Sequence, residues 1–169
     1  MSTAPLQVER RPRWRLVVWA LVAGAVLAVG ACYVNSPSEL PTSDATISAS
    51  TPVDRPVYLG VFTPSADFDR TLNLSGVKVH TTSNTEVSVQ PLLCRGGTIG
   101  VTSDPDSFCE ELVNPEGQTF GVGDAIVLEV SSPEAAIAVV DRVRLGFRDG
   151  LQWGTHEAGA GAVVRILAR

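Results

Sequence analysis

Residues 143–155 read VRLGFRDGLQWGT, two alternating runs on either side of Asp149-Gly150. Val143, Leu145 and Phe147 alternate with Arg142, Arg144 and Gly146, the period of a strand with one dry and one wet face. Asp-Gly between such runs marks a hairpin. Two registers compete. A two-residue Asp149-Gly150 turn pairs Gly146 with Trp153 and Arg144 with Thr155, which puts Trp153 among the arginines. A three-residue loop, Arg148-Asp149-Gly150, pairs Phe147 with Leu151, Leu145 with Trp153 and Val143 with Thr155. The second register collects the large apolar side chains on one face and Arg142, Arg144, Gln152 and His156 on the other. A one-residue slip exchanges the faces, so burial favours the second register. It predicts a buried Trp153 and a left-handed Gly150, and it makes the four polar residues a candidate partner surface.

Working outward, the same short β-type runs recur from Val57 onward. Val57, Leu59 and Val61 alternate with Tyr58, Gly60 and Phe62, which suits a strand covered on both faces. Leu72 and Leu74 fall one step out of phase with Val77 and Val79, and Gly76 sits at the slip, predicting a bulge. Thr82-Ser83-Asn84 reads as the turn of a hairpin that returns through Val87 and Val89. Ala125 to Val130 is a strand, Glu157 to Gly161 a Gly/Ala loop, and Ala162 to Ala168 the last strand. Residues 102–123 carry Asp104-Pro105, Asn114-Pro115 and Gly121 to Gly123, the chemistry of an irregular excursion. About seven short strands with no internal repeat and no long soluble helix predict an all-β, antiparallel immunoglobulin-like sandwich over residues 57–169.

Upstream lies an uncharged apolar run, Leu16 to Val34, preceded by Arg10, Arg11, Arg13 and Arg15 and followed by no basic residue before Arg55. Its length matches a roughly 30 Å hydrocarbon core. The arginine asymmetry keeps residues 1–15 in the cytoplasm as a short tail and sends the rest across. Trp14, Trp19 and Tyr33 suit the two interfaces. One reading is a transmembrane signal anchor. Val29-Gly30-Ala31-Cys32 resembles the lipobox of bacterial lipoproteins, with Val in place of the usual Leu at its first position; that resemblance implies lipidation of Cys32. A cleaved, freed product is the third option, and all three put the remainder outside the cytoplasm, tethered in the first two cases. Residues 35–56, rich in Pro, Ser and Thr, are expected to be a flexible stalk.

Cys94 and Cys109 are then an even pair in an oxidising compartment, and a disulfide is the natural assignment. The total charge is -5, of which four arginines and Glu9 give the first 31 residues +3, leaving -8 from Cys32 onward. Such a domain repels phosphate backbones, so nucleic acid is not expected as a partner. No nucleophile, zinc, phosphate-loop or dinucleotide motif is present, and neither His80 nor His156 has an evident catalytic partner. No cofactor is expected. Asp104, Asp106, Glu110 and Glu111 form a weak calcium candidate whose spacing departs from an EF-hand loop.

The expected function is a non-catalytic binding or interaction module at the cell envelope, contacting the membrane through residues 16–34 and an envelope protein or polymer through its domain. Two rivals are an accessory subunit of an envelope complex, using Gly24 and Gly30 for close helix packing, and, with less support, a cell-wall hydrolase.

Overall fold

The computed structural model describes residues 13–168, so most of the expected cytoplasmic tail lies outside the described residues. Helix α1, Arg13–Val34, has 22 residues and a length of about 33 Å. Its described side chains are almost all exposed, and it packs into no core. It is a single apolar helix near the N-terminus, long enough to cross a bilayer or to serve as a signal sequence.

The remaining chain is β structure. Its strands are β1 Thr42–Pro52, β2 Val57–Phe62, β3 Leu72–Lys78, β4 Thr81–Ser83, β5 Ser88–Arg95 and β6 Val101–Thr102. They continue with β7 Glu111–Val113, β8 Thr119–Phe120, β9 Ala125–Ser131, β10 Ala136–Val140, β11 Val143–Asp149 and β12 Gln152–Leu167. One sheet runs β4-β10-β12-β11-β3-β8 with β1 also on β12; the other runs β6-β2-β9-β5-β7. In the large sheet β10 and β11 are two halves of one ribbon: Val140 faces Ala162 and Val143 faces Ala158 on the same partner, β12. β3 and β4 are likewise two halves of the next ribbon, paired to β11 and β10. The ribbon order is thus β1, β12, β10/β11, β3/β4, opposed by β2, β9, β5. That is the arrangement of an immunoglobulin-like sandwich, with residues 96–124 inserted between β5 and β9.

The core forms where the inner faces meet. Leu59, Ile126, Leu128 and Val130 of the small sheet oppose Val143, Leu145, Phe147, Val164 and Ile166 of the large one, all buried. Phe62, Phe68 and Phe120 close one end, with ring centroids 5.4–6.4 Å apart. β9 reads AIVLEV because it is buried on both faces. Its outer face is covered by a second cluster of Ile99, Ala125, Val127 and the Cys94–Cys109 disulfide, S–S 2.06 Å. The bridge therefore holds a loop that acts as a lid on the small sheet.

Several expectations are corrected. Residues 35–56 do not form a flexible stalk: Thr42–Pro52 is a strand, paired in parallel with β12 from Thr46↔Gly161 to Pro52↔Leu167. Ile47, Ala49 and Thr51 turn inward while Thr46, Ser48 and Ser50 stay wet. Short Thr, Ser and Ala side chains are poor core formers, but main-chain bonds to a long neighbour suffice to order them. Residues 72–89 are not a hairpin. The chain leaves the large sheet after β4 and enters the small one at β5, so Val87 and Val89 belong to a different layer. Gly76 does lie at a register shift between β3 and β11.

The β11–β12 register is neither of the two weighed. Asp149 faces Gln152, Arg148 faces Trp153 and Leu145 faces His156, leaving Gly150-Leu151 as the two-residue turn. Gly150 has φ 57°, as expected, while Leu151 does not enter the positive-φ region, the pattern of a type II′ turn. Residues 157–161 are not a loop but the middle of β12. Ala162, Val164 and Ile166 face inward, and the unbroken strand carries that phase back to Ala158, His156, Gly154 and Gln152. Trp153 is therefore turned outward, with the Arg148 guanidinium 5.3 Å from its ring centroid.

This register has measurable consequences. Gly150→Ala should cost on the order of 1 kcal/mol through its left-handed backbone. Trp153→Ala should cost about 1 kcal/mol or less, against about 3–5 for the buried Phe147→Ala, in chemical denaturation. Gly159 (φ 68°) has its missing Cβ direction 2.0 Å from the Val61 carbonyl oxygen, so Gly159→Ala should be worse than Gly150→Ala in the same assay. Removing both Cys94 and Cys109 should cost on the order of 3 kcal/mol, the value for a closed loop of their 15-residue separation, and peptide mapping without reductant should show them linked.

Candidate functional site

The ladders of the large sheet are interrupted at one level. The chain leaves the sheet at Val79-His80 between β3 and β4 and at Asp141-Arg142 between β10 and β11, while β12 runs on through residues 159–161 as its pairing passes from β11 to β10. The Asp141 amide donates to the His80 carbonyl at 3.0 Å and ties the two interruptions together. The result is a groove of about 650 Å³ across the outer face of the sheet. Val139 and Val163 form its apolar floor, and Val79, packed against the core, lines it where β3 ends. Lys78, His80, Arg142 and Arg144 stand around it with Asp141 and Glu157. Val139 faces Val163 across the β10–β12 ladder, and Lys78 faces Arg144, which faces Glu157, so the rim is itself a cross-strand row.

Its charges are not equally engaged. Arg144 donates to Glu157 Oε1 at 3.1 Å, with both side chains exposed. Arg142 pairs with Asp44 of β1 and donates through Nε to the Ser43 carbonyl at 3.2 Å. Lys78 and His80 are exposed and have no ion-pair partner among the described residues. In a domain of net negative charge, the groove lining sets Lys78, Arg142 and Arg144 against Asp141 and Glu157 over an apolar floor.

Of the four residues expected to share a surface, the structure brings together Arg142 and Arg144 only. His156 turns to the inner side, its ring centroid 5.9 Å from that of Phe147. Gln152 donates through Nε2 to the carbonyls of Tyr33 at 3.0 Å and Ser36 at 3.2 Å, beside the end of α1. Both departures follow from the β12 phase. Lys78 and His80 join the site in their place; they come from a ribbon adjacent to β10/β11 only in the folded sheet.

The acidic loop does not converge. Asp104 accepts from Ser107 Oγ at 2.9 Å, Glu110 lies over Gly96, and Glu111 sits on β7 opposite Arg95. Asp106 is on the Tyr58 side, and no three acidic or other metal-ligating groups come together among the described residues. Burial first, and then the Glu129 carboxylate that the Tyr58 hydroxyl faces at 3.3 Å, raise the Tyr58 phenol above its ordinary value. Cys32 is unpaired and exposed, near the end of α1.

Exposed ion pairs contribute little to stability. Lys78→Glu and Arg144→Glu should therefore stay within about 0.5 kcal/mol of the parent in thermal or chemical unfolding, leaving the groove's charge open to independent variation. In comparisons with known proteins, the chain matches no family model, no curated protein and no solved structure.

Proposed function

We propose that the chain is a membrane-tethered, extracytoplasmic binding module without catalytic activity, and that the outer-face groove docks an acidic segment of an envelope protein or polymer. The observation that carries this reading is the groove: a valine floor on a sheet, framed by Lys78, His80, Arg142 and Arg144. Recognition surfaces of this kind combine an apolar centre with polar groups that set orientation. Arg10, Arg11, Arg13 and Arg15 ahead of the apolar run, and the lack of any basic residue from Leu16 to Asp54, support a cytoplasmic N-terminus and an exported domain. The disulfide suits the same compartment.

A photo-cross-linking residue at Val139, in cells, tests the proposal. The expected result is a discrete adduct that disappears when Lys78→Glu and Arg144→Glu are combined while the folded protein persists. An adduct pattern indifferent to the charge reversal, or no adduct, would reject the groove as the docking site. Reporter fusions after Leu167 and within the first residues check the topology; a cytoplasmic C-terminal reporter would overturn the exported assignment.

A second reading, an accessory subunit assembled through α1, draws on the small residues of that helix, Gly24 and Gly30 among them. Exchanging α1 for an unrelated anchor separates the two readings, since only the second loses assembly.

A further inference from the structure

Leu151 and Trp153, at the tip of the β11–β12 hairpin, are large apolar side chains left 68% and 53% exposed. The residue between them, Gln152, is bonded to the carbonyls of Tyr33 and Ser36, where α1 ends. Chain geometry then keeps the backbone of Leu151 and Trp153 within about 12 Å of that helix end. Pro37 packs against Gly154, where a Cβ would lie 2.3 Å from its Cγ, and this closes the same corner. An anchor's last turn stands at the boundary of hydrocarbon and headgroups, a polar layer roughly 5–8 Å deep in each leaflet. The tip is thus held at the level of that layer.

The composition fits the place. Tryptophan and tyrosine favour the interface because one end of the ring system is apolar and the other polar. Trp153 meets that description, and Tyr33 is exposed at the same level. Arg148 stacks its guanidinium on Trp153 and donates Nε to the Gly150 carbonyl at 2.7 Å. Its remaining N–H groups form a fork suited to phosphate. Asp149, the nearby acid, is occupied by Arg70 at 2.7 Å.

We infer that the hairpin tip, through Leu151, Trp153 and Arg148, is a second contact of this protein with the bilayer, seated in the outer headgroup layer beside the anchor. The inference rests on the membrane-tethered reading above. It holds whether the tether is α1 itself or a lipid on Cys32, since either tether meets the domain beside Tyr33.

Trp14 and Trp19 are replaced by Phe in the full chain, leaving Trp153 as its tryptophan. The protein is reconstituted into vesicles of phosphatidylcholine with a minor share of phosphatidylglycerol. Flotation with the vesicles reports tethering, and Trp153 emission reports the tip. The expected result is quenching by a nitroxide near the headgroup that is several-fold stronger than by one at the acyl terminus, with iodide quenching several-fold weaker than in detergent. A tryptophan placed instead at Ile137, on the same outer face but roughly 40 Å along the ribbon from the tip, should stay open to iodide and insensitive to either nitroxide. A floating protein whose Trp153 behaves like the residue 137 probe overturns the tip contact and leaves tethering intact. A protein that does not float overturns both. Arg148→Glu should reduce the headgroup-nitroxide quenching without loss of flotation; unchanged quenching would remove Arg148 from the contact.

Discussion

The parallel pairing of β1 with β12 is the constraint on which the rest of the molecule depends. It binds the segment after α1 to the last strand of the sandwich by a run of main-chain bonds from Thr46↔Gly161 to Pro52↔Leu167. Such bonds are indifferent to side-chain type, so a segment of Thr, Ser and Ala can be ordered without a core of its own. Residues 35–41 are then too short to act as a stalk, and they too are held. Gly159 donates its amide to the Pro41 carbonyl at 2.9 Å, and Leu40 is buried. Arg70 reaches the Ser38 and Glu39 carbonyls at 3.4 and 3.3 Å while it pairs with Asp149 and stacks over Phe68 and Phe147. One guanidinium thereby joins the linker, the hairpin and the aromatic end of the core.

Rigid attachment gives the surfaces fixed positions relative to the helix end. The hairpin tip lies beside that end. The groove begins farther along the same sheet, at Glu157 and Arg144, five residues of β12 beyond Gln152 or roughly 17 Å. A partner reaching the groove would meet it close to the end of α1. On the opposite sheet the disulfide-stapled loop covers β9, so that both faces of the small sheet are dry there and the large sheet carries the open groove.

Much of this was legible in the residues themselves. The alternations at Val57–Val61 and Val143–Phe147, the apolar run before Asn35, the Gly76 slip and the pairing of Cys94 with Cys109 each rest on a short-range pattern, and each has its counterpart in the fold. What failed depended on partners distant in sequence. β1 has one large apolar side chain, Ile47, and its ladder with β12 makes it a strand. The Glu157–Gly161 segment, rich in Gly and Ala, resembles a loop until β1 and β2 are laid against it, where the small residues answer to close approach: the missing Cβ of Gly159 would collide with Val61. Taking that segment as a break disconnected the phase of Trp153 from that of Val164, and the error carried Gln152 and His156 to the wrong face. The groove was half visible, in Arg142 and Arg144. Lys78 and His80 were hidden from it because sequence spacing does not reveal which ribbon lies next to which.

The β1–β12 pairing also sets an order of events. Helix α1 emerges from synthesis first and β12 last, so the strand nearest the helix waits for a partner from far along the chain. Contacts this remote are slow to close, because a long loop must be ordered before they form. Until then residues 35–52 are a loose leash, and the unfinished sandwich carries β10 and β11 with the edge that β12 will fill still unpaired. Arrival of the last strand converts the leash into part of the sheet. The domain thereby acquires its orientation to α1 only when it is complete, and a chain cut short before β12 would keep its helix yet have no fixed orientation to it.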